Sequence, residues 1–199
     1  EGLDDACARG MYALAVVAAS KSMPLSIKKK AAKIFRTKFD LNKIVPVPRA
    51  AAFYIKALCE WLEYDQDIKY EDMLKKYCKY LVESYKKNNK PNWQWFEDIL
   101  AYSNGVIPES LLLAYKRLGN QKYFNIAKAA LDFLVLHSFK RHCCSPVGQS
   151  GWFKRGGKKT LFDQQPEEVA ALVLALKTMY GVSGDKKYKE KMRNAFDWF

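Results

Sequence analysis

Four stretches of this chain carry residues that could do chemistry. The first is Asp4-Asp5 with Arg9, and the second is Pro48-Arg49. The third is Trp93-Gln94-Trp95-Phe96-Glu97-Asp98, followed by Tyr102, Asn104 and Pro108-Glu109. The fourth runs from Gly148-Gln149-Ser150-Gly151-Trp152 through Arg155 to Asp163-Gln164-Gln165-Pro166-Glu167. Carboxylates, arginines, amides and tryptophans together are what sugars ask for: hydroxyls need directional polar partners, and the apolar face of a pyranose stacks on an indole ring. Paired carboxylates are also what glycosidic acid/base chemistry requires. In a hydrolytic site Glu97 or Asp98 and Asp163 or Glu167 are the candidate acid and base. Arg9, Arg49, Arg155 and Gln164 are candidates for holding hydroxyls or an anionic group. Trp93, Trp95 and Trp152 are candidates for stacking. Asp5, Tyr102, Asn104, Glu109 and Gln165 complete the expected binding set.

Each of these residues has a plainer role open to it. Asp4, Asp5 and Asp163 suit helix N-caps or first turns, and Pro108 and Pro166 suit first helical positions. Glu109, Glu167 and Glu168 favour the positive end of a helix dipole. Trp93 and Trp95 could as well fill core. What raises the case for a site is that three separate links deliver such residues to the same end of the fold.

Other chemistries find little support. Arg155-Gly156-Gly157-Lys158-Lys159-Thr160 is not a phosphate loop, since that pattern needs lysine straight after its second glycine, whereas Gly156 is followed by Gly157, and no strand precedes. His142-Cys143-Cys144 offers adjacent side chains, which rarely share one tetrahedral zinc, and no second ligand pair has finger-like spacing. There is no Gly-x-Ser-x-Gly elbow. No cofactor and no metal are expected.

The chain has 199 residues, 49% of them hydrophobic, enough for one domain with a sizeable core. It has no run of 18 apolar residues, so no membrane span is expected. It opens without a Met or a basic leader and near a helix start, so it reads as a fragment or a processed form. Five cysteines are an odd number; Cys7, Cys59 and Cys78 fall at helical positions among apolar residues and are expected to be buried, reduced thiols in a cytoplasmic setting. The net charge is +13, from 34 basic and 21 acidic residues. The lysines segregate by helix rather than gathering on one face, which fits a solvated outer layer and argues against nucleic acid as a partner.

These residues must be positioned by helices. Lys28 to Phe39, Tyr70 to Leu81, Tyr123 to Leu134 and Tyr188 to Phe199 are variations on one basic, amphipathic segment. Each follows an Ala- or Leu-rich helix and a short polar turn. The pattern predicts four antiparallel helix pairs: first helices near 5–19, 49–64, 107–118 and 167–181, and second helices near 26–39, 69–88, 121–137 and 186–199. The first helices are apolar nearly all round and should be buried inside a layer of amphipathic second helices. That is an all-α (α/α) toroid, with no sheet beyond a short loop ribbon. The links 40–48, 89–106 and 138–166 all return to the start of a first helix and so should lie at one end.

Taken together, Leu3-Asp4-Asp5, Arg9-Gly10, Pro48-Arg49-Ala50, Trp95-Phe96-Glu97-Asp98, Pro108-Glu109-Ser110-Leu111-Leu112, Gly151-Trp152 and Phe162-Asp163-Gln164-Gln165-Pro166-Glu167 resemble the six-hairpin-glycosidase-like (α/α) toroid proteins associated with bacterial group-1 glycosyltransferases. The resemblance spans nearly the whole chain and implies a cytosolic, carbohydrate-handling protein. That family's ring has six hairpins against four here, so the chain is expected to be a single domain over 1–199 that forms part of a larger ring.

The expected activity is glycoside-hydrolase-like, on an oligosaccharide or sugar derivative. One alternative is a non-catalytic glycan-binding or assembly module that partners a glycosyltransferase or associates with itself. The other is a sugar 2-epimerase-like isomerase, whose base would have to be His137 or His142.

Overall fold

The computed structural model describes residues 3–199, and among them eight helices alternate with short turns and longer links. The chain forms two compact units, residues 1–81 and 82–199.

In the first unit α1 (Asp4–Ala19) and α2 (Leu25–Lys38) form a hairpin, and α3 (Pro48–Tyr64) packs on α1. Pro48 occupies the first turn of α3, where its missing N–H costs nothing. The apolar run Ala50–Ala52, Ile55, Ala57, Leu58, Trp61 and Leu62 is buried, and Phe35 of α2 stacks on Trp61 at 4.0 Å. α4 (Ile68–Asn88) begins here and buries Tyr70, Met73, Leu74, Tyr77 and Cys78 on one stripe, with its lysines outside. Tyr77 stacks on Tyr54 at 5.1 Å.

In the second unit α5 (Val106–Leu118) packs on α6 (Gln121–Ser138) and on α7 (Pro166–Ser183), and α8 (Lys186–Phe196) packs on α7. The turns follow the sequence chemistry. Gly119 and Gly184 close α5 and α7 in the left-handed conformation, and Asn120 and Asp185 cap α6 and α8 through their side chains. Two short antiparallel ribbons tie the links. β1 (Ile99–Leu100) pairs with β4 (Phe153–Lys154), and β2 (Phe139–Lys140) pairs with β3 (Cys143–Cys144). The β1–β4 ribbon joins the link before α5 to the link before α7, as expected of loops that gather at one end.

The helix spans match expectation to within a few residues, but three details differ. α1 is not buried all round: only Ala8, Ala15 and Ala18 are buried in it, and Val16 is exposed, because α2 and α3 cover two of its faces and leave the third bare. α7 likewise exposes Leu174. Cys7 is exposed, and Cys59 half-buried, rather than buried; of the three helical thiols only Cys78 is enclosed. Pro108 stands at the third position of α5, since that helix starts at Val106.

Candidate functional site

The second unit contains a cavity of about 370 Å³ at the loop-rich start of α7. Its lining is Tyr102, Val147, Gln149, Trp152, Gln165, Glu167 and Glu168.

The carboxylates are set by helix geometry. Pro166 opens α7, which places Glu167 and Glu168 in its first turn. Glu168 shares the buried face with Leu172, Ala175 and Leu176, at i, i+4, i+7 and i+8, and is itself buried. Its charge is met by Asn104: the Asn104 peptide N–H donates to Oε2 at 3.0 Å, and Asn104 Nδ2 donates to Oε1 at 2.8 Å. Asn104 also closes its own loop, its Oδ1 accepting from the Ala101 N–H at 3.1 Å and its Nδ2 donating to the Ala101 carbonyl at 2.8 Å. Beside it, the Ser103 hydroxyl donates to Glu167 Oε1. The start of α5 is thereby fastened to the start of α7. Gly105 makes the approach possible, since a Cβ there would overlap the Ala171 carbonyl and the Leu172 peptide nitrogen of α7.

The aromatic wall is set by the links. Tyr102 faces Trp152 with ring centres 6.3 Å apart and planes at 47°. Trp152 is held by a compact loop. The Gly148 N–H donates to the Thr160 carbonyl at 2.8 Å, the Gln149 N–H to the Asp163 carbonyl at 2.9 Å, and the Thr160 N–H to the Trp152 carbonyl at 3.3 Å. Gly148 lies against the Phe162 backbone so closely that a Cβ would overlap it. Left-handed backbone on non-glycine residues gathers here. Ser103, Trp152 and Asp163 have φ of 47°, 57° and 60°; the fourth such residue among those described, Arg141, lies on the β2–β3 turn. Each costs on the order of 1–3 kcal/mol and persists only where the surroundings enforce it.

The structure sorts the sequence candidates sharply. Tyr102, Trp152, Gln165 and Glu167 come together in the cavity. Trp93 and Trp95 do not: both are core. Trp93 donates from Nε1 to the Glu97 carbonyl at 2.6 Å and packs edge-on against Phe133 and Phe153, and Trp95 has no exposed surface. Asn104 is fully buried and bonds Glu168 rather than lining the cavity. Glu109 is buried on α5, where it accepts from Thr178 Oγ1 of α7 at 3.4 Å.

Neither Glu97 nor Asp98 lines the cavity; Asp98 sits exposed at the start of the ribbon, its carbonyl taken by the Arg155 N–H at 2.8 Å. Asp163 is exposed and takes the Gln165 amide at 2.9 Å, so it is neither a cap of α7 nor a wall of the cavity. Gln164 bonds Ser145 Oγ at 3.4 Å and Trp198 Nε1 at 3.3 Å. Arg155 is exposed and donates to the Asn88 carbonyl at 3.2 Å. Asp5, Arg9 and Arg49 belong to the first unit. There Arg9 pairs with Asp5 at 2.9 Å and lies over Phe53, and Arg49 is buried at the start of α3.

The histidines are elsewhere. His137 is wedged between Phe133 and Phe153, and burial, aided by Lys159, pushes its pKa down. His142 is exposed near Glu190. Among the described residues no group of three His, Cys, Asp or Glu could hold a metal ion. Glu168, Ser103 and Val147 carry no site role in the sequence pattern, and Gln149 falls within the fourth stretch without one. For Glu168 the signal was in the sequence, since it falls in phase with the buried stripe of α7.

The fold and site define an all-α protein in which, among the described residues, no helix is long and apolar enough to cross a membrane. No protein-family model matches the chain, and no curated protein matches it.

Proposed function

We propose that this protein is a carbohydrate-handling (α/α) toroid of the six-hairpin-glycosidase-like kind, and that its second unit holds a neutral sugar in the cavity of Tyr102, Trp152 and Glu167. The observation that carries this reading is the lining itself. Two aromatic rings, two amides (Gln149 and Gln165) and two carboxylates converge on a space of monosaccharide to disaccharide size, with no lysine or arginine among them. The indole of Trp152 offers a stacking face, and the amides and Glu167 offer the donors and acceptors that hydroxyls need. The packing of α1 on α3 and of α5 on α7, and of α2 on α1, α6 on α5 and α8 on α7, supports the toroid.

Binding without cleavage is the favoured form of this reading, because Glu97, Asp98 and Asp163 lie off the cavity. In this form the protein serves as a glycan-binding or assembly module beside a glycosyltransferase in the cytoplasm. Hydrolysis is the second reading, and what favours it is that Glu167 and Glu168 both face the cavity, one bonded to a hydroxyl and one saturated by an amide. The isomerase reading draws nothing from the lining, which contains no histidine.

The test is saturation-transfer NMR with tryptophan fluorescence, titrating glucose, galactose, N-acetylglucosamine and their disaccharides. Binding is expected, and Trp152→Ala should weaken it about 10-fold or more, the value of a lost stacking partner. Incubating the same saccharides and following products by mass spectrometry separates the two forms. In a hydrolase, Glu167→Gln should lower turnover by at least ~10²-fold while sugar still binds. Absence of binding to every neutral saccharide, or indifference to Trp152→Ala, would sink the proposal.

A further inference from the structure

The first unit carries a second feature, unrelated to the cavity above. Between Asp5 and Asp40 the chain has no acidic residue and eight basic ones: Arg9, Lys21, Lys28, Lys29, Lys30, Lys33, Arg36 and Lys38. The same stretch exposes Val16, Met23, Leu25, Ile27 and Ile34, with Leu25 at 66% and Ile27 at 46% exposure. These are not scattered. Ala13, Leu14 and Val17 of α1 and Ile27, Ala31 and Ile34 of α2, with Lys30 at the edge, line one groove of about 260 Å³. The α2 members fall at i, i+4 and i+7, a stripe that amphipathic helices use to pack on a neighbour. The outer face of α2 carries Lys29, Lys33 and Arg36. Arg36 is taken up by Asp65 at 2.9 Å, and among the described residues no carboxylate pairs with Lys29, Lys30 or Lys33.

We infer that the α1–α2 groove is a docking seat for an acidic amphipathic helix of a partner protein. The floor is concave and apolar, so it rewards side chains that fill it; a flat layer of lipid headgroups would leave its lining without contacts. Lys30 edges the groove and Lys33 follows one turn further along the same side of α2, so the partner's flanking residues on that side should be Glu or Asp. A nucleic acid would satisfy the rim and gain nothing from Leu14, Val17, Ile27 and Ile34. A second copy of this chain is a poor match on charge. The exposed apolar residues Phe196 and Phe199 lie at the end of α8, whose own charges are mainly Lys186, Lys187, Lys189, Lys191 and Arg193. From Ile27 to Ile34 the stripe is about 10 Å long at 1.5 Å per residue, so the partner engages over two to three turns.

The probe is a synthetic 18-residue capped helix with Leu at i, i+3, i+4 and i+7 and Glu at the flanking positions. A control peptide has Lys at those flanks, and a second control is phosphatidylglycerol vesicles. Amide NMR shifts and fluorescence anisotropy on the whole chain read the result. The Glu peptide should bind with shifts confined to α1 and α2, and the Lys peptide at least ~10-fold more weakly. Ile27→Ser with Ile34→Ser should abolish binding; both sites are exposed, and a circular-dichroism melt verifies that the fold persists. Lys30→Glu with Lys33→Glu should reverse the preference toward the Lys peptide, which a folding defect cannot do. Equal or absent binding of the two peptides overturns the inference. So does vesicle binding that is lost in the Ile27/Ile34 variant while the Glu peptide does not bind. So does a concentration-dependent dimer, seen by sedimentation, that the same variant dissociates.

Discussion

Replacing Asn104 by Ala should be among the most damaging single changes in the second unit, although Asn104 does not line the cavity. Three side-chain hydrogen bonds vanish: the amide to Glu168 Oε1 at 2.8 Å, the amide to the Ala101 carbonyl at 2.8 Å, and the Ala101 N–H to Oδ1 at 3.1 Å. A bond to a charged partner contributes about 1.5–3 kcal/mol and a neutral one about 0.5–1.5 kcal/mol, so the simple sum is roughly 2.5–6 kcal/mol. The Asn104 peptide N–H still reaches Glu168 Oε2 at 3.0 Å and shields part of the charge. That places the expected loss in the lower half, at ~3 kcal/mol. At about 2–4 °C per kcal/mol for a chain of this size, the melting temperature should fall by roughly 6–12 °C. Asn104→Asp supplies a second, electrostatic arm. It sets a carboxylate against Glu168, and like charges at hydrogen-bond distance raise the pKa of the pair. Because the folded state then holds a proton more tightly than the unfolded chain, the variant's deficit should shrink as pH falls toward 4 and be largest at pH 7. Thermal melts by circular dichroism give the shift. Hydrogen exchange at residues 101–106 and 166–172 shows whether the damage starts at the α5–α7 junction. A melt of Asn104→Ala within about 2 °C of the parent, or an Asn104→Asp deficit independent of pH, would refute the assignment of this network as the clamp.

Three further expectations follow from the same geometry. Gly105→Ala should cost on the order of 2–4 kcal/mol and weaken sugar binding at the same time, because the new methyl pushes the α5 start off the α7 backbone; urea unfolding alongside saccharide titration reads both. His137 is held neutral by burial, its folded pKa lying below the unfolded 6.5. The unfolded chain therefore binds the extra proton, so stability should drop as pH falls below about 6.5, and His137→Phe should flatten that dependence in melts from pH 7.5 to 5. Burial pushes the Cys144 thiol up to about 11, leaving a thiolate fraction of roughly 10⁻³ at pH 8. Iodoacetamide with mass-spectrometric mapping should label the exposed Cys7 and Cys143 first and reach Cys144 and the buried Cys78 only on unfolding.

The helices were legible because their signals are local. Apolar runs, basic amphipathic segments, Gly119, Gly184, Asn120 and Asp185 each act within a few residues, and they place the spans nearly residue by residue. The site was legible only in part. Trp152, Gln165 and Glu167 were found because they sit on loops and first turns, where residue type and location both point outward. Trp93 and Trp95 have the same residue type in a similar loop, but they point into the cluster around Phe133 and Phe153, a choice made by partners 38 to 60 residues away. Asp163 carries the composition of a cap and does not act as one. Its backbone is left-handed, its carboxylate accepts from Gln165, and its carbonyl accepts from the Gln149 N–H of the facing loop. Helix phase alone marks Glu168 as buried, in line with Leu172, Ala175 and Leu176, although an acid in the first turn of α7 also suits the helix dipole.

The strain around the cavity argues that this arrangement serves a purpose beyond holding helices together. An α5–α7 contact needs only small residues and a shared apolar face, which Gly105, Ala171 and Leu172 already provide. It does not need Ser103, Trp152 and Asp163 in left-handed backbone, each at a cost of on the order of 1–3 kcal/mol. These residues do three connected things. Ser103 turns its hydroxyl to Glu167, Trp152 presents its ring opposite Tyr102, and Asp163 steers the Gln165 amide. All three results lie in the lining of one cavity. Stability alone would favour glycine or asparagine at such positions. A tryptophan kept at a φ of 57° lines the same cavity as Tyr102, Gln165 and Glu167.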